Sequence, residues 1–306
     1  MLEIESCRFF EKIQNAIKEG LPFVMYRLPN GKQLRAFVQQ SCHLQTTIDF
    51  DRQGFIFAPF DNLKQIIIFP LATSEQFCSE INIDNGGNAT KMKLPINEKD
   101  KRRHINLVKK GIEFLRKAGA KKVVVSRKQV VNHPNFDTIQ TFKRLITNYP
   151  TAMVYCWSHP KVGMWLGATP ETLLKVKGNK FTTMSLAGTL QYQGTLNVNW
   201  STKEIEEQQY VTDYIVERLF AITNNLHQSK TETVKAGNLV HLRTMISGVL
   251  HKNLSLYKLI RTLHPTPAIC GLPQQEAKEF ILENETYDRS YYTGFFGELN
   301  LEDTTS

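Results

Sequence analysis

The chain has 306 residues, 41% hydrophobic and 22% charged, which describes a core-forming globular protein and excludes a disordered or fibrous one. A formal net charge of +9 favours anionic partners, but the basic run Lys99-Asp100-Lys101-Arg102-Arg103 has no interleaved aromatic residues, so nucleic acid is not expected among them. Five scattered cysteines without a C-x-x-C pair exclude a disulfide framework and suit reduced thiols in a cytoplasm.

The N-terminus opens on Glu3 and Glu5 without a long apolar run, so no signal peptide is expected. Phe9, Phe10, Ile13, Ala16 and Ile17 recur at helical spacing and predict a helix within residues 1–20, stopped at Gly20. Four strand-like pieces follow at residues 23–27, 36–38, 54–58 and 65–69 and read as a meander. The apolar patch at 66–71 is far too short to span a bilayer, so no membrane association is expected. The polar, turn-rich stretch 82–97, with Gly86-Gly87, divides an N-terminal part (1–97) from the remainder (98–306). Gly86-Gly87 lacks the spacing and the lysine of a phosphate loop and reads as plain loop.

Beyond it, Ile105, Val108, Ile112 and Leu115 fall on one side of a predicted helix over 105–118, with Gly119 as its stop. A strand is expected at 122–127 and a helix at 137–147. Residues 154–157 pair with 163–167 as a hairpin, and 173–176 with 180–184 across Gly178-Asn179. A helix from Lys203, a strand at 239–243, a helix near 254–261, a Pro-rich turn at 265–273 and a helix at 275–282 complete the series. The pattern predicts an α+β chain of mostly antiparallel sheets with packed helices.

The helix from Lys203 has an unusual charge pattern. At about 100° per residue, Glu204 and Glu207 share the stripe of Val211, Tyr214, Ile215 and Ile222, while Glu206 lies off it. Two carboxylates on a face that a helix buries need a counter-charge, a proton or a metal. Read locally, they equally suit the positive end of the helix dipole. Lys122, at the start of an apolar strand, is either an edge charge snorkelling into water or, if desolvated, a base of lowered pKa. Glu171 follows a Pro turn as a helix-start acid would, and His241 sits inside a strand, where a satisfied core histidine is the default.

Several short motifs occur in one order. They are Lys122 in K-V-V-V-S-R, Glu171 in G-A-T-P-E, Ser185-Leu186-Ala187-Gly188-Thr189, and the helix over 203–211. His241 follows, then L-H-P-T-P-A ending at Ala268 with Gly271 and Pro273, and Asp288-Arg289 ahead of Tyr292-Thr293-Gly294. This series resembles the chorismate-utilising enzymes, and among them the isochorismate synthases. The likeness covers about residues 105–300, with the first hundred resembling the variable N-terminal part of such enzymes. It implies that a Mg²⁺ ion holds the ring carboxylate of chorismate, a role suited to a hard cation with few carboxylate ligands. Lys122 would deprotonate the water that attacks C2, and Glu171 would protonate the departing C4 hydroxyl. Glu207 matches the metal ligand, with Glu204 in its outer coordination sphere. Gly188, Thr189, His241, Ala268 and Ile269 match substrate-contacting positions.

Two departures stand out. Gln208 replaces a histidine that often follows the metal glutamate. The family also continues past the region of Glu298 with strands that supply an arginine, a Gly-rich turn, a second metal glutamate and a lysine. The resemblance therefore implies a C-terminally incomplete member, which is one functional alternative. Aminodeoxychorismate synthases carry a lysine at the position of Ala187, and anthranilate synthases lack one at position 122. Lys122 with Ala187 thus implies water as the nucleophile. Salicylate synthases share both residues and add pyruvate elimination, so they are the other alternative. The pathway served, menaquinone or siderophore, stays open, as does the oligomeric state.

Overall fold

The computed structural model describes residues 1–82, 97–252 and 254–301. The expected boundary loop around Gly86-Gly87 lies outside the described residues.

The strand Phe23–Arg27 is buried at every position, which is why Phe23 to Tyr26 run without polar alternation. It lies inside a six-stranded sheet in the order Leu2–Glu3, Ser74–Glu80, Gln33–Gln39, Phe23–Arg27, Met153–His159, Gly163–Thr169. The first pair is parallel and the other pairs are antiparallel. One face is covered by the helices Ser6–Glu19 and Thr138–Asn148, over a core containing Phe9, Ile13, Met25, Phe77, Phe142 and Ile146. The other face meets a four-stranded sheet, ordered Phe295–Leu299, Gly54–Ala58, Ile66–Pro70, Thr46–Thr47. Aromatic rings fill the space between these two sheets: Phe57 stacks on Trp157 and on Tyr291, each at 4.5 Å. Buried side chains such as Phe57 and Trp157 contribute about 1.5–3 kcal/mol each, which makes this sandwich a principal store of stability. Both sheets draw strands from before and after residue 97.

A third, five-stranded sheet carries the site. Lys180–Gln191 and Leu239–Leu250 form its centre, with Lys175–Lys177, Thr223–Gln228 and Glu232–Ala236 around them. The helix Thr202–Phe220 lies on this sheet and buries Val211, Tyr214, Ile215 and Leu219 against Phe181, Ala187 and Ile246. The helix Leu256–Leu263 packs onto the same cluster through Leu259 and Leu263.

Five elements differ from the sequence expectation. The strand expected at 122–127 shortens to Lys122–Val123, because the following backbone groups bond to a turn and to side chains instead. The helix expected at 105–118 begins at Glu98, where the side chain of Asn97 accepts from the N–H groups of Lys99 and Asp100. Its buried positions are Leu107 and Gly111, while Ile105, Val108 and Ile112 are 45%, 39% and 44% exposed. The rotation is set by Phe114, stacked on Phe280 at 4.8 Å, and by Gly111 facing Val123. The strands Ser74–Glu80, Thr223–Gln228 and Glu232–Ala236 carry too many polar residues to be read from apolar alternation.

Candidate active site

Lys122 stands where three segments meet. Its two-residue strand pairs with Gly271–Leu272, and hydrogen bonds from Lys121 N–H to Leu272 O (2.8 Å) and Val124 N–H to Cys270 O (2.7 Å) extend the contact. A Cβ at position 271 would lie 2.3 Å from the Lys122 carbonyl oxygen, so only glycine permits this approach. The approach sets the turn carrying Ala268 and Ile269, both half-buried, beside the Lys122 strand. On its other side is the helix Thr202–Phe220. Lys121 Nζ sits over the Tyr210 ring at 5.1 Å, and Lys122 Nζ lies 2.8 Å from Glu207 Oε1. The Lys122 side chain is only 11% exposed, so it does not snorkel into water. The counter-charge that Glu207 required is therefore a lysine.

Glu171 follows the strand Gly163–Thr169, and its N–H donates to Thr169 Oγ1 at 3.3 Å. Part of the residue stays open to the site, yet the carboxyl lies deep enough for desolvation to dominate. Burial pushes its pKa up to about 7, against an opposing pull from the nearby charge of Lys122. The two candidate catalytic groups thus share one electrostatic environment, and the carboxyl can carry a proton near neutrality.

A polar wall is built from the central strands of the five-stranded sheet. Their register shifts between Ala187 and Leu190, which lets Gly188 and Thr189 leave the ladder. Gly188 takes φ of 65°, in the left-handed region. His241 Nδ1 lies 3.0 Å from Gly188 O and 3.2 Å from Thr189 Oγ1. A carbonyl can only accept, so Nδ1 donates to it. A Cβ on Gly188 would come within 3.3 Å of Glu204 Cβ, which ties this wall to the first turn of the helix. There Glu204 accepts from the Ser201 hydroxyl, and that hydrogen bond holds its carboxyl below the usual range.

Gln208 turns away from Glu207 and into the sheet. Its Nε2 lies 3.1 Å from Ser185 O, 3.0 Å from Ser185 Oγ and 3.1 Å from Thr244 Oγ1, and Thr212 Oγ1 donates to Ser185 Oγ at 3.0 Å. This buried network fixes the helix on the sheet and so aims Glu207. Nothing local in the sequence marks this network, and of the buried pair Glu285 and Arg289 behind Lys122 only Arg289 is marked there, in the Asp288-Arg289 motif and without its partner. The spacing of Glu285 and Arg289 is that of an ordinary solvated i, i+4 pair.

Among the described residues no group of three His, Cys, Asp or Glu side chains could hold a metal. Mg²⁺, however, retains several waters and binds through one or two carboxylates plus substrate oxygens, so the hard oxygens of Glu207 suit it chemically. Glu207 is the residue here that could ligate such an ion, with Glu204 one turn earlier on the helix.

Residues 33–305 match the family model described as chorismate binding enzyme, and the chain belongs to that family. It is similar to the isochorismate synthase EntC of Escherichia coli (strain K12), at 31% identity over 191 residues, covering 59% of this chain and 49% of EntC. A chloroplastic isochorismate synthase of Catharanthus roseus is 29% identical over 189 residues, covering 58% of this chain and 33% of the plant protein. The match thus spans about half, or a third, of these relatives' own length. Among solved structures, DhbC of Bacillus anthracis, described as an isochorismate synthase, superposes with a TM-score of 0.71 at 21% identity, covering 95% of this chain and 85% of that one. MenF of Escherichia coli, the menaquinone-specific isochorismate synthase, gives 0.68 at 17% identity, covering 91% and 76%. At these identities the likeness establishes the fold, which is the expected α+β arrangement of chorismate-utilising enzymes.

Proposed function

We propose that this site converts chorismate to isochorismate in a Mg²⁺-dependent isomerisation. The observation that carries the reading is Glu171, a carboxyl with a pKa of about 7 within the field of a largely buried lysine. Such a group is about half protonated at neutral pH, and a departing hydroxyl needs a proton donor of that strength. Lys122 takes a proton from water as the water oxygen bonds to C2. The ring double bonds shift, and the C4 hydroxyl leaves as water with the proton of Glu171. One water enters and one departs, so the composition of the ring compound is unchanged.

To act as base, Lys122 must first give up its ion pair with Glu207 and release its ammonium proton to solvent, leaving the neutral amine. His241, the Gly188 carbonyl and the Thr189 hydroxyl supply the hydrogen bonds that orient a hydroxylated ring, while Ala268 and Ile269 supply an apolar side. A Mg²⁺ ion on Glu207, with Glu204 in its outer coordination sphere, would supply positive charge for the ring carboxylate.

The test is incubation of the chain with chorismate, with and without Mg²⁺, followed by NMR of the products. Isochorismate formed only with Mg²⁺ is the expected result. Salicylate together with pyruvate would replace this reading with salicylate synthesis. Unchanged chorismate under both conditions would sink both and leave a family member without this catalysis.

A further inference from the structure

Behind Lys122 lies an ion pair that the reaction itself does not use. The side chains of Glu285 and Arg289 are each 2% exposed. Arg289 engages all of its N–H groups. Nε donates to Glu285 Oε2 at 2.8 Å, and Nη2 to Glu285 Oε1 at 2.6 Å and to the Val124 carbonyl at 2.7 Å. Nη1 donates to the Ile269 carbonyl at 3.0 Å and to Thr293 Oγ1 at 3.1 Å. The guanidinium also lies over the Phe60 ring at 4.6 Å. Glu285 Oε1 in turn accepts from the Ser126 N–H at 2.7 Å and from the Ser126 hydroxyl at 2.9 Å.

These partners belong to particular segments. Val124 and Ser126 form the exit of the strand that carries Lys122, where the two-residue ladder has ended. Ile269 belongs to the turn facing that strand. The pair therefore stands where further sheet bonds would otherwise hold Lys122 in place. Stability alone is a poor reason for it, since a buried ion pair is often no more stabilising than apolar residues of the same volume. Geometry is a better one, because a planar five-donor fork bonded to two backbone carbonyls and a carboxylate fixes all three relative to one another.

We propose that Glu285 and Arg289 are positioning residues that hold the strand of Lys122 in the site and keep the turn of Ala268 and Ile269 beside it. The catalytic consequence rests on the reading of Lys122 as the base, whereas the geometric claim does not.

The test uses Arg289→Lys, which keeps the charge and loses the fork, and Ser126→Ala, which leaves the ion pair intact and removes one tether. Reductive dimethylation of the folded chain, read by mass spectrometry, reports the accessibility of the Lys122 amine. Lys12, on the distant helix Ser6–Glu19 and paired with Glu75, is the internal reference. Lys122 labelling relative to Lys12 should rise about fivefold in Arg289→Lys and about twofold in Ser126→Ala, as the strand exit loosens. In parallel, kcat should fall about tenfold or more in Arg289→Lys at temperatures well below its unfolding, with KM changed much less. Unchanged Lys122 labelling in the folded variant would overturn the proposal. If Arg289→Lys does not fold, unchanged labelling in Ser126→Ala does so instead. Raised labelling with unchanged kcat would remove the catalytic role. A wild-type chain that turns over nothing would reject the reaction and leave the labelling to decide the positioning.

Discussion

Glu171 makes stability depend on pH in the direction opposite to most carboxylates. Its folded-state pKa of about 7 lies above the ordinary value of 4.5. Below the ordinary value both folded and unfolded chains carry the proton, and the full stability is present. As pH rises toward the folded value the unfolded chain ionises first, so stability falls through that window and levels off above it. The loss is about 3 kcal/mol. Glu171→Gln removes this penalty, and the variant should be about 3 kcal/mol more stable than the wild type near pH 8 and within about 1 kcal/mol of it near pH 5. Urea unfolding at the two pH values checks this, and identical differences at both would mean that Glu171 ionises freely in the folded state. The same substitution should abolish turnover, which would show a site held at a cost in stability. At this scale the candidate residues were legible only through the order of their motifs. Lys122 alone looked like an edge charge and Glu207 alone like a helix-start acid. Only the fold closes the 2.8 Å gap between them. Arg289 is visible only as part of a motif and Glu285 not at all, because charged residues just past a helix are ordinarily solvated and nothing local marks this pair as buried.

Among the elements, those that bury both faces were the easiest to read. Phe23–Arg27, Gly54–Ala58 and Ile66–Pro70 are buried at every residue, and their runs, apolar but for Arg27, show it. The helix Glu98–Ala118 shows the opposite case, where a periodic apolar stripe remains largely exposed and a glycine marks the packed side. Periodicity reports which residues are apolar together, and tertiary contact decides which side is used. The two-stranded ladder Lys122–Val123 with Gly271–Leu272 is too short to be seen in any pattern, yet it sets the position of the candidate base. Gly271→Ala tests it. The added Cβ would meet backbone at the Lys122 carbonyl and, at 2.6 Å, the Cβ of Ala277, neither of which can swing aside. Separation of the strands should cost about 2–3 kcal/mol, with a loss of turnover at temperatures where the variant remains folded. Chemical denaturation together with product assays measures both. Wild-type stability in the variant would show that the approach of the two strands is not limiting.

In the whole molecule, the division of the sequence at residue 97 is not mirrored by the sheets. Phe23–Arg27 pairs along its full length with Met153–His159, from Phe23 opposite Ser158 to Arg27 opposite Val154. Phe295–Leu299 pairs in the same way with Gly54–Ala58. Arg27, 3% exposed, donates to the carbonyls of Ile146 and Ala152 at 3.1 and 2.9 Å, and so fastens the helix Thr138–Asn148 as well. The candidate acid depends on this arrangement, since Glu171 follows Gly163–Thr169, the edge strand of the sheet that the N-terminal strands complete. Residues 98–306 contain every candidate catalytic, substrate and metal residue, yet alone they would expose a long strand edge and the buried face of Trp157, which stacks on Phe57 and Phe69. We therefore expect the 98–306 fragment to show no cooperative urea transition and to aggregate, whereas the full chain unfolds in a transition that also abolishes turnover. Circular dichroism and tryptophan fluorescence along a urea titration of both proteins distinguish the cases. A cooperative transition in the isolated fragment would place a folding boundary at residue 97 and make the N-terminal sheet an accessory. Its absence would mean that the acid and the base of one reaction are held by two layers that fold only together.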